Sequence, residues 1–168
     1  MNTRVKAAIA IPQTSLSGPL SVAHISGFLA RAEALGYDSA WVVERVLGAI
    51  YALEAVGLLT YAAALTRRLK LGAAVLLTAL RNPVHLAKSL ATLDQLSEGR
   101  LIVGVGLGGD AKAYPVYGLT SDGRAARFAE SIEVMKRLWT EPRVTLKGRF
   151  CTLDEVAMEP KPAQKPHP

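Results

Sequence analysis

The sequence predicts an α/β fold made of four consecutive parallel strand–helix units. Three observations lead there. Four apolar, β-branched runs recur at Val5 to Ile11, Ser39 to Val43, Leu69 to Leu77 and Leu101 to Val105. Their starts lie 34, 30 and 32 positions apart, about the length of one strand–loop–helix unit. Each run is continuous rather than alternating in polarity, as expected of strands buried on both faces of a parallel sheet, and helical patterns fill the gaps between them.

The elements follow in order. After the first strand, Ser21 is placed to cap a helix carrying Ile25, Phe28, Leu29, Ala32 and Leu35, with Gly36 at its stop. A second helix runs from about Leu53 to Thr66. A third starts after Asn82-Pro83, with proline at the tolerated first turn, and ends at Ser97-Glu98-Gly99. The fourth has the cleanest apolar stripe, Ala125, Phe128, Ala129, Ile132, Met135 and Trp139, with Arg127, Glu130, Glu133 and Lys136 opposite. Arg143 to Thr145, Gly148 and Phe150 to Leu153 read as a short hairpin outside the parallel sheet. The proline-rich stretch from Glu159 to Pro168 is extended. The expectation is one partial domain over 1–168, with a core over 1–140 and a hairpin and tail over 141–168.

Two architectures fit four such units. A doubly wound sheet of four or five strands suits a chain this long. An eight-unit barrel needs ~250 residues, and on that reading these 168 residues form its first half.

Composition excludes several functions. The chain is 50% hydrophobic and 20% charged, which is not the make-up of a disordered protein. No apolar run reaches the ~18 residues of a membrane span, and only five apolar residues separate Lys6 from Pro12, too few for an export signal. The net charge of +6 is scattered, its longest cluster being Arg67-Arg68 with Lys70, and aromatics make up 6%. Nucleic acid is therefore not an expected partner, nor is a membrane. One cysteine, Cys151, allows no internal disulfide and no multi-thiolate zinc site, so a cytoplasmic location is expected.

In either architecture a ligand meets the C-terminal ends of the strands. Gly104-Val105-Gly106-Leu107-Gly108-Gly109 contains the G-x-G-x-x-G spacing, but it follows the fourth strand, and Pro115 and Gly118 interrupt any helix after it. It therefore reads as a loop that lets a flat ligand or another backbone approach closely, rather than as a dinucleotide turn. Glu44-Arg45 closes the second strand, where it could bind a substrate or pair at the rim. Thr78 ends the third strand and could hydrogen-bond a ligand or nearby backbone. His24, His85 and His167 show no metal spacing, no G-x-S-x-G elbow is present, and Asp94 reads as part of a local helix cap. No residue is assigned as catalytic. A cleft without nucleophile, dyad or metal cluster points to chemistry carried by a cofactor.

Several segments resemble the luciferase-like monooxygenase family: Arg31 to Val43, Arg81-Asn-Pro-Val84 continuing from Leu86 to Gly106, Ile132 to Trp139, and Glu159 to Pro168. The resemblance implies an eight-unit barrel of which this chain is the first half. It also implies an oxidoreductase or monooxygenase using FMN or the deazaflavin coenzyme F-420. The cofactor ring would lie against Leu77, Thr78, Gly106, Gly108 and Gly109, with Glu44 and Arg45 on the side of a small-molecule substrate. Relatives often carry Glu-His or Asp-His where this chain has Glu44-Arg45, and a bulky residue at the Gly109 position. Without the second half, an impaired enzyme is expected. The alternative is a non-catalytic truncated paralogue that pairs with itself or with a full-length relative. The second helix is apolar nearly all round, with Leu53, Val56, Leu58, Leu59, Ala62, Ala63 and Leu65. With the resemblance, this predicts a homodimer through the second and third helices.

Overall fold

The computed structural model describes residues 5–108 and 110–168. Its parallel sheet has four strands, β1 (Ala8–Ala10), β3 (Ser39–Val42), β5 (Lys70–Leu77) and β6 (Leu101–Gly106), in that spatial order. Ala8 lies opposite Ser39, and Trp41 opposite Gly72. β1 is shorter than the apolar run predicts because Asp38 intervenes: its Oδ2 accepts the Ala7 N–H while its own N–H donates to the Ala7 carbonyl. A two-stranded ladder that the pattern did not reveal joins β2 (Thr14–Ser15) to β4 (Tyr51–Ala52). Both strands are too short to carry a periodicity.

The chain forms two compact units: residues 1–76 with 96–104, and residues 77–95 with 105–168. In the first, α1 (Val22–Ala34) starts where expected, with Ser21 Oγ accepting the His24 N–H. α2 (Ala55–Leu65) is capped by Glu54, whose Oε2 accepts the Gly57 N–H at 2.6 Å, which places the start two residues after Leu53. Ile25 and Leu29 of α1, Leu59 and Ala62 of α2, and Leu71, Ala73 and Leu76 of β5 form the core. Gly104 in β6 is required by close approach, since a Cβ there would collide with the Ala73 carbonyl oxygen. Trp41 lies against Gly72 in the same way.

Polar clamps close the far ends of these elements. Arg100 donates to the carbonyls of Ser97, Leu69 and Ala63 and to Thr66 Oγ1, satisfying the C-terminal end of α2. Glu33 accepts the backbone N–H groups of Arg67, Arg68 and Leu69. Burial pushes its carboxyl pKa up, but those three donors and the nearby Arg68 charge together hold it below the usual range.

The second unit holds α3 (Pro83–Leu96), α4 (Arg124–Thr140), two 3-10 segments (Thr78–Leu80 and Ala111–Tyr117) and an antiparallel hairpin, β7 (Val144–Lys147) with β8 (Thr152–Val156). The Trp139 indole donates to the Ala87 carbonyl at 2.9 Å, so α3 and α4 pack together. The proline-rich tail is neither helix nor strand, as expected, but it is not extended throughout: it bends at 159–160 and over 163–166, and both helices hold it. Lys161 Nζ reaches the Leu138 and Glu141 carbonyls, and Lys88 Nζ reaches the Glu159 carbonyl. Asp94 is a correction: it is fully buried and accepts both the backbone N–H and the side-chain amide of Gln164. It therefore anchors the tail, 70 positions away, instead of acting only as a local cap.

The expectation of strands buried on both faces holds only in part. β1 is exposed at Ala8 and Ala10, and β6 is half-buried after Leu101. Both are edge strands, whereas β3 between them is buried at three of its four positions.

Candidate functional site

The site is built from strand ends. In the second unit, β5 finishes at Leu77 and the chain turns immediately into a 3-10 segment, with the Arg81 N–H donating to the Thr78 carbonyl. That turn draws the Thr78 side chain inward. Thr78 is 0% exposed, and its Oγ1 has no hydrogen-bond partner among the described residues. A buried hydroxyl without a partner costs stability.

The loop after β6 meets the same segment. Gly108 takes φ +84°, and a Cβ built there would lie 3.7 Å from Leu77 Cδ2. The bare backbone thus rests against the Leu77 side chain. Tyr114 steadies the loop: it is fully buried and donates its hydroxyl to the Leu107 carbonyl at 3.1 Å. Pro115 lies within the 3-10 segment Ala111–Tyr117, and Gly118, at φ +69°, ends it. The structure therefore brings Leu77 and Gly108 together, with Thr78 next to Leu77 and Gly106 ending β6. Gly109 lies outside the described residues.

Glu44 and Arg45 belong to the first unit, directly after β3. Glu44 is half-buried and Arg45 exposed. Gln13, buried at the end of the segment after β1, positions them. Its amide donates to the carbonyls of Val43 (2.7 Å) and Leu53 (2.8 Å), and its Oε1 accepts the Val43 N–H (2.9 Å). Sequence reasoning missed Gln13 and Tyr114. A lone amide just after Ile11-Pro12 and an aromatic in a Gly/Pro-rich loop were the available signals.

No group of three or more His, Cys, Asp or Glu side chains among the described residues could hold a metal ion. His24 and His85 are exposed in first helical turns, and His167 stacks on Trp139 with ring centroids 5.4 Å apart. Among the described residues, no helix is long and apolar enough to cross a membrane. What remains is an apolar side chain, a partnerless hydroxyl and open glycine backbone. That combination fits the flat, hydrogen-bonding ring of a flavin or deazaflavin, and it can orient such a group without itself being a nucleophile.

Known proteins show the same architecture. Monooxygenase RslO1 from Streptomyces bottropensis superposes with a TM-score of 0.85 at 33% identity, over 98% of this chain and 52% of that one. An F420-dependent glucose-6-phosphate dehydrogenase from Kineococcus radiotolerans is 35% identical over 150 residues, which is 83% of this chain and 44% of the relative. An FMNH(2)-dependent dimethylsulfone monooxygenase from Pseudomonas putida is 37% identical over 108 residues, 62% of this chain and 30% of the relative. The chain thus spans about half the length of the relatives it matches, or less. Its fold class is α/β, with four parallel strand–helix units corresponding to half of a (β/α)8 barrel. The model of the family described as luciferase-like monooxygenase matches residues 1–168, and the chain belongs to that family.

Proposed function

We propose that this chain forms half of the cofactor pocket of an oxidoreductase that uses FMN or F420. The observation that carries the proposal is the buried Thr78 hydroxyl, without a partner among the described residues, next in sequence to the Leu77 that lies against Gly108. Such a cofactor, when bound, supplies hydride transfer or activation of dioxygen. The chain's own residues have narrower tasks. Thr78 Oγ1 exchanges a hydrogen bond with a polar atom of the ring, Leu77 gives it an apolar contact, and the Gly106–Gly108 backbone leaves room for its plane. Glu44 and Arg45, held at the end of β3 through Gln13 and Val43, bind and orient a small-molecule substrate. Relatives name both FMN and F420, and no residue here selects between them.

Titration of the purified protein with FMN and with F420, followed by fluorescence, tests this reading. Weak binding is expected from half a pocket. Thr78→Val should lower the affinity about 3- to 10-fold, the worth of one hydrogen bond. Equal affinity of parent and Thr78→Val, or no binding of either cofactor at millimolar concentration, defeats the proposal.

Pairing of two copies through α2 and α3 is part of the same reading, and what supports it lies on α2. Tyr61 and Leu65 are exposed there, beside an apolar groove lined by Val22, Ile25, Leu53, Gly57 and Leu58. Light scattering at the masses of one and two chains decides this. A second reading, a non-catalytic chain completed by a partner, is favoured by one observation: among the described residues β1 and β6 are the edge strands of the sheet, with Ala8 and Ala10 exposed. It requires that sizing show a pair while neither cofactor binds.

A further inference from the structure

We infer that a cleft at the start of α3, distinct from the ring seat, binds a small oxyanion, a phosphoryl or carboxylate group. The cleft has a volume of about 270 Å³, and its polar lining includes Arg81, Asn82, Tyr117, Arg127, Glu130 and Ser131. All of these belong to the second unit, and the inference does not depend on the cofactor reading.

The argument starts from Arg127. Its guanidinium carbon lies over the Phe150 ring, 4.3 Å from the ring centre, a cation–π contact that restrains it. Its Nε is buried and has no hydrogen-bond partner among the described residues. Other arginines of this protein contrast with it. Arg137 makes a two-point contact with Glu141, and Arg100 is bonded at three nitrogens to four acceptors. A held guanidinium with an unanswered N–H is a pre-oriented receptor for a planar or tetrahedral oxyanion, the geometry that arginine recognises best.

The charge around it agrees. Arg81 and Arg127 line the cleft against one carboxylate, Glu130, and the other titratable groups there are Tyr117 and Cys151. The Glu130 oxygens are already engaged, accepting the backbone N–H groups of Arg149, Phe150 and Cys151 at 2.7–2.8 Å. That carboxylate therefore closes the hairpin turn. Arg127 thus supplies a guanidinium to the cleft, beside the polar side chains of Asn82, Tyr117 and Ser131.

Cys151 lines the cleft and is the single cysteine of the chain, so its alkylation reports on occupancy. Iodoacetamide labelling of the full chain, with isothermal titration alongside, should be run against inorganic phosphate and against acetate, with chloride at equal ionic strength as reference. Phosphate is expected to slow labelling and give a saturable heat. Arg127→Lys, which keeps the charge but loses the guanidinium, should weaken binding about tenfold with an unchanged circular dichroism spectrum. Arg149→Gln removes an exposed charge that also lies over the Phe150 ring, at 5.0 Å, but is not part of the cleft lining, and should leave affinity within about twofold. Competition by FMN but not riboflavin identifies the anion as a cofactor phosphate. Competition by neither, with phosphate still bound, assigns it to a separate phosphorylated molecule, and acetate binding as tightly as phosphate assigns a carboxylate. No protection and no heat with either anion overturns the inference. So does equal weakening by Arg127→Lys and Arg149→Gln, the mark of diffuse surface charge.

Discussion

Replacing Thr78 by valine should make the cofactor-free protein more stable while making it a poorer binder. Thr78 is 0% exposed and its hydroxyl has no partner among the described residues. Burying an unanswered hydroxyl costs about 1–3 kcal/mol, and exchanging it for a methyl group adds up to ~0.8 kcal/mol of apolar burial. Allowing for imperfect fit of the new methyl, we expect a net gain of about 1 kcal/mol. For a chain of this size that is a rise in Tm of about 2–4 °C. Thr78→Ser provides the opposite control. It keeps the hydroxyl, opens a methyl-sized void, and should lose about 1 kcal/mol. Urea melts and calorimetry of both variants without cofactor measure these values. If Thr78→Val melts at or below the parent temperature, the hydroxyl is satisfied in solution and the basis for assigning it to a ligand is gone.

Two other predictions concern the scaffold. Gln13→Ala removes three hydrogen bonds that tie the segment after β1 to Val43 and Leu53. It should cost about 2–4 kcal/mol in urea unfolding and loosen the Glu44–Arg45 segment, seen as faster amide exchange at 43–48. Glu33 has its folded-state pKa held below the unfolded value, so its contribution is fully present above the ordinary glutamate pKa and is lost as pH falls through the folded value. The stability gap between the parent and Glu33→Gln should therefore be constant near neutrality and close below about pH 4. A gap that widens on acidification would contradict the assigned sign.

Local signals were sufficient where one residue decides a boundary. Ser21 capping α1, Pro83 opening α3 and Gly36 ending the first helical unit act through short-range sterics and hydrogen bonds, so they could be read in order along the chain. The spacing of the apolar runs carried the succession of four parallel strands for a similar reason, since each crossover needs one helix, whereas the spatial order β1-β3-β5-β6 is visible only in the folded sheet. The site was legible only in outline. Leu77, Thr78 and Gly108 lie at strand ends, where ligands meet such folds, and their numbers could be named.

What the linear text could not contain is which polar groups lack a partner. That Thr78 Oγ1 and Arg127 Nε have no partner among the described residues, while Glu130 bonds the hairpin and Asp94 a tail 70 residues distant, depends on which groups folding brings near. Amino-acid order determined the succession of strands and helices, because backbone geometry and apolar periodicity act over a few residues. Tertiary structure alone decided the hydrogen-bond vacancies on which the two proposed sites rest, because satisfaction of a buried donor is a property of all its neighbours at once.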